Sequence, residues 1–474
     1  MKTSVTKKDG LIYKILELIL YCITIYYSYY VSLKLDMFDG YKIHNYDAFY
    51  STIPFILLFS IVILMSIGLF RTVNKSKVEN FSIVLIGTSL IMVTYMAVAF
   101  FSRDFGMPRT VILMSFMIQT VVFFLIKIIF IKIVRFRKGI RKIVIFGSEE
   151  EKEKLVSKIY SGNIYKEELS YYIDPMIVDN FKMYINKSDK IYVSDLIQSE
   201  IKDRIITHCI STNKSLYIIP KTFEIAIFNS KLVQVSDIPM FRIESLHLSR
   251  EKLIVKRCFD LLLAIPITVI LMPIMLIIAL AILISEGRPI IFTQERVTIN
   301  NRKFQLYKFR SMHKDAEKNS GAIWAIRNDP RVTRLGKFLR KFWLDELPQL
   351  INVIKGDMSL VGPRPERPIF INEFSKAIPD FHYRLSVKAG VTGLAQVLGK
   401  YATTPELKIK FDILYIKNTS VLFDLKIIIE TVKKIIVGTL KRGENIDLTY
   451  EEVLERHNLK ENTKNGRTIY KNKR

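Results

Sequence analysis

Three cysteines, Cys22, Cys209 and Cys258, are all the thiols in 474 residues, and none stands in a CxxC pair. That scarcity excludes a disulfide framework and a cysteine zinc site, and it fits soluble parts held in a reducing cytoplasm. His44, His208, His247, His313, His382 and His457 include no close ligand pair, so no histidine chemistry is assigned. The start is not expected to act as a cleavable secretion signal: Met1, Lys2, Lys7 and Lys8 are not followed by a short apolar core and a small-residue cleavage site. Acidic residues are scarce against basic ones, 45 to 71, which leaves a formal net charge of +26. Since half the chain is hydrophobic, that charge argues for a basic surface facing anionic headgroups and phosphorylated substrates. Nucleic acid is the weaker reading, because long apolar runs are present.

The length allows two or three domains, each with its own core. Four apolar segments open the chain, Leu11 to Leu35, Phe49 to Phe70, Phe81 to Phe101 and Val111 to Val134, each near the roughly 20 residues that cross a bilayer. Residues 1–138 are therefore expected to form a four-helix transmembrane region. Basic residues at the amino terminus, at Arg71, Lys75 and Lys77, and at Arg135, Arg137 and Lys138 mark the cytoplasmic side, whereas Asp36, Asp39 and Asp47 mark the first loop. Both termini are expected in the cytoplasm. Tyr26, Tyr27, Tyr29 and Tyr30 read either as an interfacial belt or as the end of a packed helix.

Next comes Arg141 to Ser148, a β-rich run ending at Gly147, with a helix-forming stretch behind it. Lys190 to Val193 and Ser215 to Pro220 read as further strands around a helix from Leu196 to Thr212. This alternation predicts a small, degenerate Rossmann-like α/β domain over 139–249. Dinucleotide binding needs three glycines in the first turn. Here Gly147 is followed by Ser148 and three glutamates that would repel a pyrophosphate, so the domain is expected to be structural or regulatory.

Leu261 to Ile284 is as apolar as a span but contains Pro266 and Pro273, and proline kinks a helix by removing a backbone donor. Lys252, Lys256 and Arg257 before it and Arg288, Arg296, Arg302 and Lys303 after it favour the same face. A re-entrant hairpin over 257–286 satisfies both facts; an ordinary fifth span is the alternative. Lys256, Arg257, Asp260 and Pro273 are the residues expected to build and anchor the hairpin.

Polar chemistry then concentrates. Adjacent carboxylates Asp345 and Glu346 sit between Arg340 and the turn Gly362-Pro363-Arg364-Pro365. Neighbouring carboxylates repel each other, so a site that uses both supplies cations or a metal. Alone, such a pair is often only a helix-surface feature, and the proline turn only a rigid corner.

Lys256 to Asp260, Tyr307 to Met312, Leu344 to Leu350, Gly356 to Pro365 and Gly390 to Gln396 together resemble the bacterial sugar transferase family. Its members are polyprenyl-phosphate hexose-1-phosphate transferases, the monotopic phosphoglycosyl transferases, and the resemblance runs from about Lys252 to Ile436. With four preceding helices the chain is similar to the long branch. The resemblance implies a membrane protein: an α-helical transmembrane bundle, the α/β domain, a mostly α catalytic domain over 250–440 with the re-entrant helix, and a basic tail over 441–474. The tail is expected as a helix followed by a disordered end. The same resemblance implies transfer of a hexose 1-phosphate from a UDP-sugar, UDP-glucose or UDP-galactose, to undecaprenyl phosphate, with release of UMP. That step initiates exopolysaccharide, capsule or O-antigen synthesis. Asp345 is then the nucleophile of a covalent aspartyl-phosphosugar intermediate and Glu346 the ligand of Mg2+; Lys308, Arg340, Pro363, Arg364, Arg310 and Gln396 are candidates for binding the donor. The setting implied is the bacterial inner membrane, catalytic domain on the cytoplasmic side, against anionic lipid and in a homo-oligomer or polysaccharide assembly complex. Departures from the family pattern are Met272 before Pro273, Trp343 before Leu344, and Ala389 before Gly390; none removes a charged group. Two other readings compete: a non-catalytic membrane scaffold, and a nucleotide-sugar dehydratase or epimerase acting through the α/β domain.

Overall fold

The computed structural model describes residues 7–35, 42–70, 77–101, 108–137, 140–160, 167–228, 230–243, 246–314, 316, 329–399, 403–440 and 449–472. Asp36, Asp39, Arg71 and Lys75, which the topology argument used, lie outside them. The chain divides into two compact units, residues 1–219 with 446–474, and residues 220–445.

The first unit begins with four long helices, α1 (Lys7–Leu35), α2 (Lys42–Ser66), α3 (Lys77–Phe101) and α4 (Arg109–Arg137). All four are long and apolar enough to cross a membrane. Leucines, isoleucines and phenylalanines cover their outer faces, while polar side chains meet inside. Lys127 pairs with Glu17 at 3.1 Å, both side chains almost fully buried. Tyr21 donates to the same carboxylate at 2.9 Å, and Lys127 also donates to the Leu69 carbonyl. Gln119 reaches Ser28 Oγ at 2.9 Å and Thr88 meets Thr120 at 2.9 Å. In an apolar surround such contacts define which helix faces which.

Strands β1 (Arg141–Phe146), β2 (Glu167–Ile173), β3 (Lys190–Val193) and β4 (Ser215–Ile218) follow, all parallel, in the order β2-β1-β3-β4. Helices α5 (Lys152–Tyr160), α6 (Phe181–Asn186) and α7 (Ser199–Ser211) connect them. Alternation sorts β1 between two cores. Val144 and Phe146 face Ile191, Val193 and Ile205 on one side, and Ile143 and Ile145 face Leu155, Val156 and Val453 on the other. The first turn closes on itself: Ser148 N–H donates to Glu151 Oε1 at 3.1 Å, and Glu149 N–H to Asp174 Oδ2 at 3.2 Å. The amides that would hold a pyrophosphate in a dinucleotide-binding turn are already paired with the domain's own carboxylates, which speaks against the dehydratase reading.

The second unit opens with α8 (Thr222–Ile227) and the hairpin β5 (Lys231–Val235) and β6 (Ile238–Arg242). Helix α9 (Arg250–Glu286) is capped by Ser249, whose side chain accepts from Lys252 N–H, and carries Pro266 and Pro273 inside. It is the fifth helix long and apolar enough to cross a membrane. Its two ends are fastened to one domain. Arg257 donates to the carbonyls of Val353 and Ile354, Asp260 accepts from Leu360 N–H and Ser359 Oγ, and Arg310 donates to the carbonyls of Glu286 and Gly287. A straight helix would separate Arg257 from Glu286 by about 44 Å. Side chains on both halves pack into this unit's cores, Ala264 beside Leu350 and Val353, Ile282 beside Phe309 and Leu339. Both ends of α9 are thus held by the same unit, which favours the re-entrant reading over a span, with Pro266 and Pro273 as the places where the helix can bend.

The antiparallel pair β7 (Ile291–Val297) and β8 (Lys303–Phe309) leads to α10 (Arg334–Lys341) and α11 (Gln349–Lys355). Strand β9 (Ser359–Val361) pairs in parallel with β10 (Gly390–Thr392), with α12 (Pro368–Ala377) between them. Helices α13 (Leu394–Leu398), α14 (Pro405–Lys417) and α15 (Val421–Leu440) complete the unit. Lys256 on α9 pairs with Asp424 on α15 at 2.5 Å.

The carboxy-terminal residues differ from the expected disordered basic end. Helix α16 (Tyr450–Arg456) is followed by the hairpin β11 (Leu459–Lys464) and β12 (Arg467–Asn472), and β12 pairs antiparallel with β2 to extend the first unit's sheet to six strands. The lysines misled: alternate residues Leu459, Thr468 and Tyr470 are buried, so the basic side chains are the outer face of a strand pair.

Candidate active site

Helix α10 starts at the Thr333 cap, whose hydroxyl accepts from Gly336 N–H at 2.8 Å, and ends in Arg340 and Lys341. Trp343 then takes a left-handed conformation, φ 60° and ψ 18°, and starts the 3-10 turn Leu344–Glu346. That reversal sets Asp345 and Glu346 between two helices. Asp345 is buried, with 8 % of its surface exposed. Glu346 Oε1 accepts from Lys308 Nζ at 2.8 Å and Arg364 Nη2 at 3.1 Å.

Lys308 reaches Glu346 because Asn352 ties β8 to α11. Its buried side chain donates to Gln305 O at 2.7 Å and accepts from Tyr307 N–H at 3.0 Å. Arg364 is carried by the turn after β9. Gly362 N–H donates to Thr392 O and Gly390 N–H to Pro363 O, each at 2.9 Å. These backbones touch: a Cβ on Gly390 would stand 2.1 Å from Gly362 N, so only glycine fits there. Two further arginines hold the turn by its carbonyls, Arg384 on Arg364 O at 3.0 Å and Arg296 on Pro365 O at 2.9 Å. Arg384 also pairs with buried Asp412 at 3.0 Å. Burial is the main reason that the Asp412 carboxyl is pushed up to about 6, against the opposing charge of Arg384.

The adjacent carboxylates are driven apart electrostatically. Burial, then the charge of Glu346, raises Asp345, against the pull of Lys308, Arg340 and Arg364. Burial would raise Glu346 as well, but Lys308 and Arg364 outweigh it and hold Glu346 well below the usual carboxylate range. Such a split assigns the two groups different work: Glu346 is a fixed charge, and Asp345 a buried carboxylate with cations around it.

The structure thus brings Lys308, Asp345, Glu346 and Arg364 together, with Pro363 in the supporting turn. Arg340 lies alongside, its Nε donating to Ser311 Oγ at 2.9 Å. Arg310 belongs elsewhere, because its guanidinium closes the end of α9 rather than facing the pair. Gln396 donates to Val391 O within its own loop, with no contact to the pair among the described residues. Lys256, Arg257 and Asp260 fasten α9 as described, and Pro273 lies within it. Sequence reasoning missed Asn352, Arg296, Arg384 and Asp412; each acts through a partner distant in the chain, which no local pattern announces.

No cluster of three or more His, Cys, Asp or Glu able to hold a metal occurs among the described residues. Oxygen donors of the right hardness are nonetheless in place. Glu346 Oε1 takes both cations while Oε2 has no partner among the described residues. One carboxylate plus phosphate oxygens and water suits magnesium.

Comparison with known proteins gives a consistent picture. A model of the family described as bacterial sugar transferase matches residues 251–438. A UDP-N-acetylgalactosamine-undecaprenyl-phosphate N-acetylgalactosaminephosphotransferase of Aeromonas hydrophila is 44 % identical over 187 residues, 39 % of this chain and 44 % of that protein. The UDP-glucose:undecaprenyl-phosphate glucose-1-phosphate transferase of Escherichia coli is 37 % identical over 236 residues, 49 % and 51 % of the two chains. The match spans about half the length of these two relatives. A putative undecaprenyl-phosphate N-acetylgalactosaminyl 1-phosphate transferase of Bacillus subtilis is 50 % identical over 133 residues, 28 % of this chain and 74 % of that shorter protein.

Proposed function

The chain belongs to the bacterial sugar transferase family, and from that premise we propose that it transfers a hexose 1-phosphate from a UDP-sugar to undecaprenyl phosphate, with Asp345 as nucleophile. The observation that carries the reading is the split pair: a buried Asp345 beside a Glu346 bound by Lys308 and Arg364. An Asp345 oxygen attacks the phosphorus that bears the sugar, and the bond from that phosphorus to the bridging oxygen breaks, releasing UMP. The resulting acyl phosphate divides one hard transfer into two easier ones. The acceptor's phosphate oxygen then attacks the same phosphorus, forms the lipid diphosphate sugar and returns the carboxylate. Lys308 and Arg364 would take the charge of the donor diphosphate, Arg364 able to bind two oxygens at once. Arg340 adds positive potential beside Asp345. Glu346, with donor oxygens, would hold Mg2+, which when bound supplies charge neutralisation for the departing UMP. The catalytic face belongs on the cytoplasmic side, where nucleotide sugars are found. Glucose is the sugar proposed, with galactose and N-acetylgalactosamine as the alternatives to compare; initiation of capsule, exopolysaccharide or O-antigen synthesis follows from it.

The test is UMP release by the purified full-length protein with undecaprenyl phosphate, Mg2+ and a panel of UDP-sugars. Release with one donor that needs lipid and is lost in Asp345→Asn supports the reading and identifies the sugar. Normal release in Asp345→Asn overturns the nucleophile, and no release from any donor favours a scaffold.

A further inference from the structure

A second group of cations gathers at the opposite end of α11 from the carboxylate pair. Gly356 caps that helix with φ of 91°. Over it converge two positive groups: a Cβ on Gly356 would meet Arg257 Nη2 at 3.4 Å and Lys388 Nζ at 3.8 Å. The two nitrogens are therefore at most about 7 Å apart, a gap that one phosphate bridges with a hydrogen bond to each. Gly356 adds no side chain between them.

The cations are arranged for an outside anion rather than for one another. Arg257 is fixed by the Val353 and Ile354 carbonyls, which hold its plane and leave further N–H groups. Lys388 is half-buried and has no hydrogen-bond or ion-pair partner among the described residues. Burial, then the charges of Arg257 and Arg302, lowers its pKa in spite of Asp260 and Asp357. Those two carboxylates are engaged, Asp260 with Leu360 N–H and Ser359, and Asp357 with Arg302 at 2.9 Å. A half-buried ammonium beside a guanidinium, with the nearby carboxylates already engaged, is favoured further by an anion that contacts both.

The place in the fold identifies the anion's carrier. Arg257 stands four residues before Leu261, where the apolar run of α9 begins, so the cluster lies at the level where the helix enters the membrane. We propose that Arg257 and Lys388 form a phosphate-recognition site for the headgroup of an anionic membrane lipid, distinct from the carboxylate pair. A bound headgroup would hold the entry end of the re-entrant helix against the domain that carries Asp345.

The experiment places the full-length protein and its Lys388→Met and Lys388→Arg variants in nanodiscs of mixed phosphatidylcholine and phosphatidylglycerol, and counts by native mass spectrometry the lipids that survive extraction. A parallel arm titrates inorganic phosphate in detergent and follows the unfolding midpoint. Wild type and Lys388→Arg are expected to retain about fivefold more phosphatidylglycerol than Lys388→Met, the effect of one interfacial cation, and millimolar phosphate is expected to shift no midpoint. A phosphate shift that depends on Lys388, without lipid retention, supports phosphate recognition but overturns the lipid as its source. No dependence on Lys388 in either arm overturns the site.

Discussion

Asp345 and Glu346 are chain neighbours with opposite environments, and the difference comes from where their side chains end. Glu346 meets two cations at hydrogen-bond distance, whereas Asp345 is buried with charges farther away. Trp343 makes that divergence possible by taking a left-handed conformation that costs a non-glycine residue about 1–2 kcal/mol. Trp343→Gly and Trp343→Ala both delete the indole, but only alanine keeps the penalty. The glycine variant is therefore expected to be more stable than the alanine variant by about 1 kcal/mol, readable from denaturant midpoints. Asp412 supplies a pH signature. Its folded carboxyl sits at about 6, above the ordinary 3.8, so the folded state binds that proton more tightly than the unfolded chain does. Its stabilising share is complete below the ordinary aspartate range and is lost as pH rises through about 6, a change of order 2–3 kcal/mol. Unfolding midpoints across that window should fall more steeply in wild type than in Asp412→Asn; parallel profiles would exclude Asp412 as the cause.

At the scale of elements, the site depends on strands and turns held at close range. Gly362, Gly390 and Gly393 let the turn after β9 lie backbone to backbone against β10 and the loop beyond it. Adding a methyl at Gly390 must push the turn away, and Arg364 with it. Gly390→Ala is expected to lower UMP release more than tenfold while far-UV circular dichroism stays near wild type; unchanged release would show that Arg364 does not need this geometry. The element type was largely legible beforehand. The four apolar helices, the βα units after Arg141 and the long proline-bearing apolar helix α9 announce themselves through run length, alternation and proline. Neither Asn352 nor Arg384 carried any such signal, because their meaning lies in the Tyr307 amide and the Arg364 carbonyl that they bind.

For the whole molecule, the chain's end returns to the sheet that its first half began. Removing 449–472 strips β2 of its outer neighbour β12 and uncovers the core contributed by Val453, Leu459 and Tyr470, where each fully buried large side chain stabilises by about 1.5–3 kcal/mol. The truncated protein is expected to lose the protease resistance of its α/β domain and to aggregate through the exposed edge; wild-type resistance would show that the hairpin is dispensable. The sequence by itself determined the class of this protein: apolar runs that must leave water, a basic surface, alternating βα units and the motif residues of its family. It also placed Asp345 beside Glu346, since covalent neighbours need no fold to meet. Only the tertiary structure decided that Lys308 and Arg364, 38 residues before and 18 residues after Glu346 in the chain, share one of its oxygens, that Arg310 closes a helix end instead, and that a lysine-rich tail is a pair of strands. The physical reason is common to all three. Propensity and pattern act over a few residues, while the partner that satisfies a buried charge or an open strand edge is chosen by packing across the whole chain.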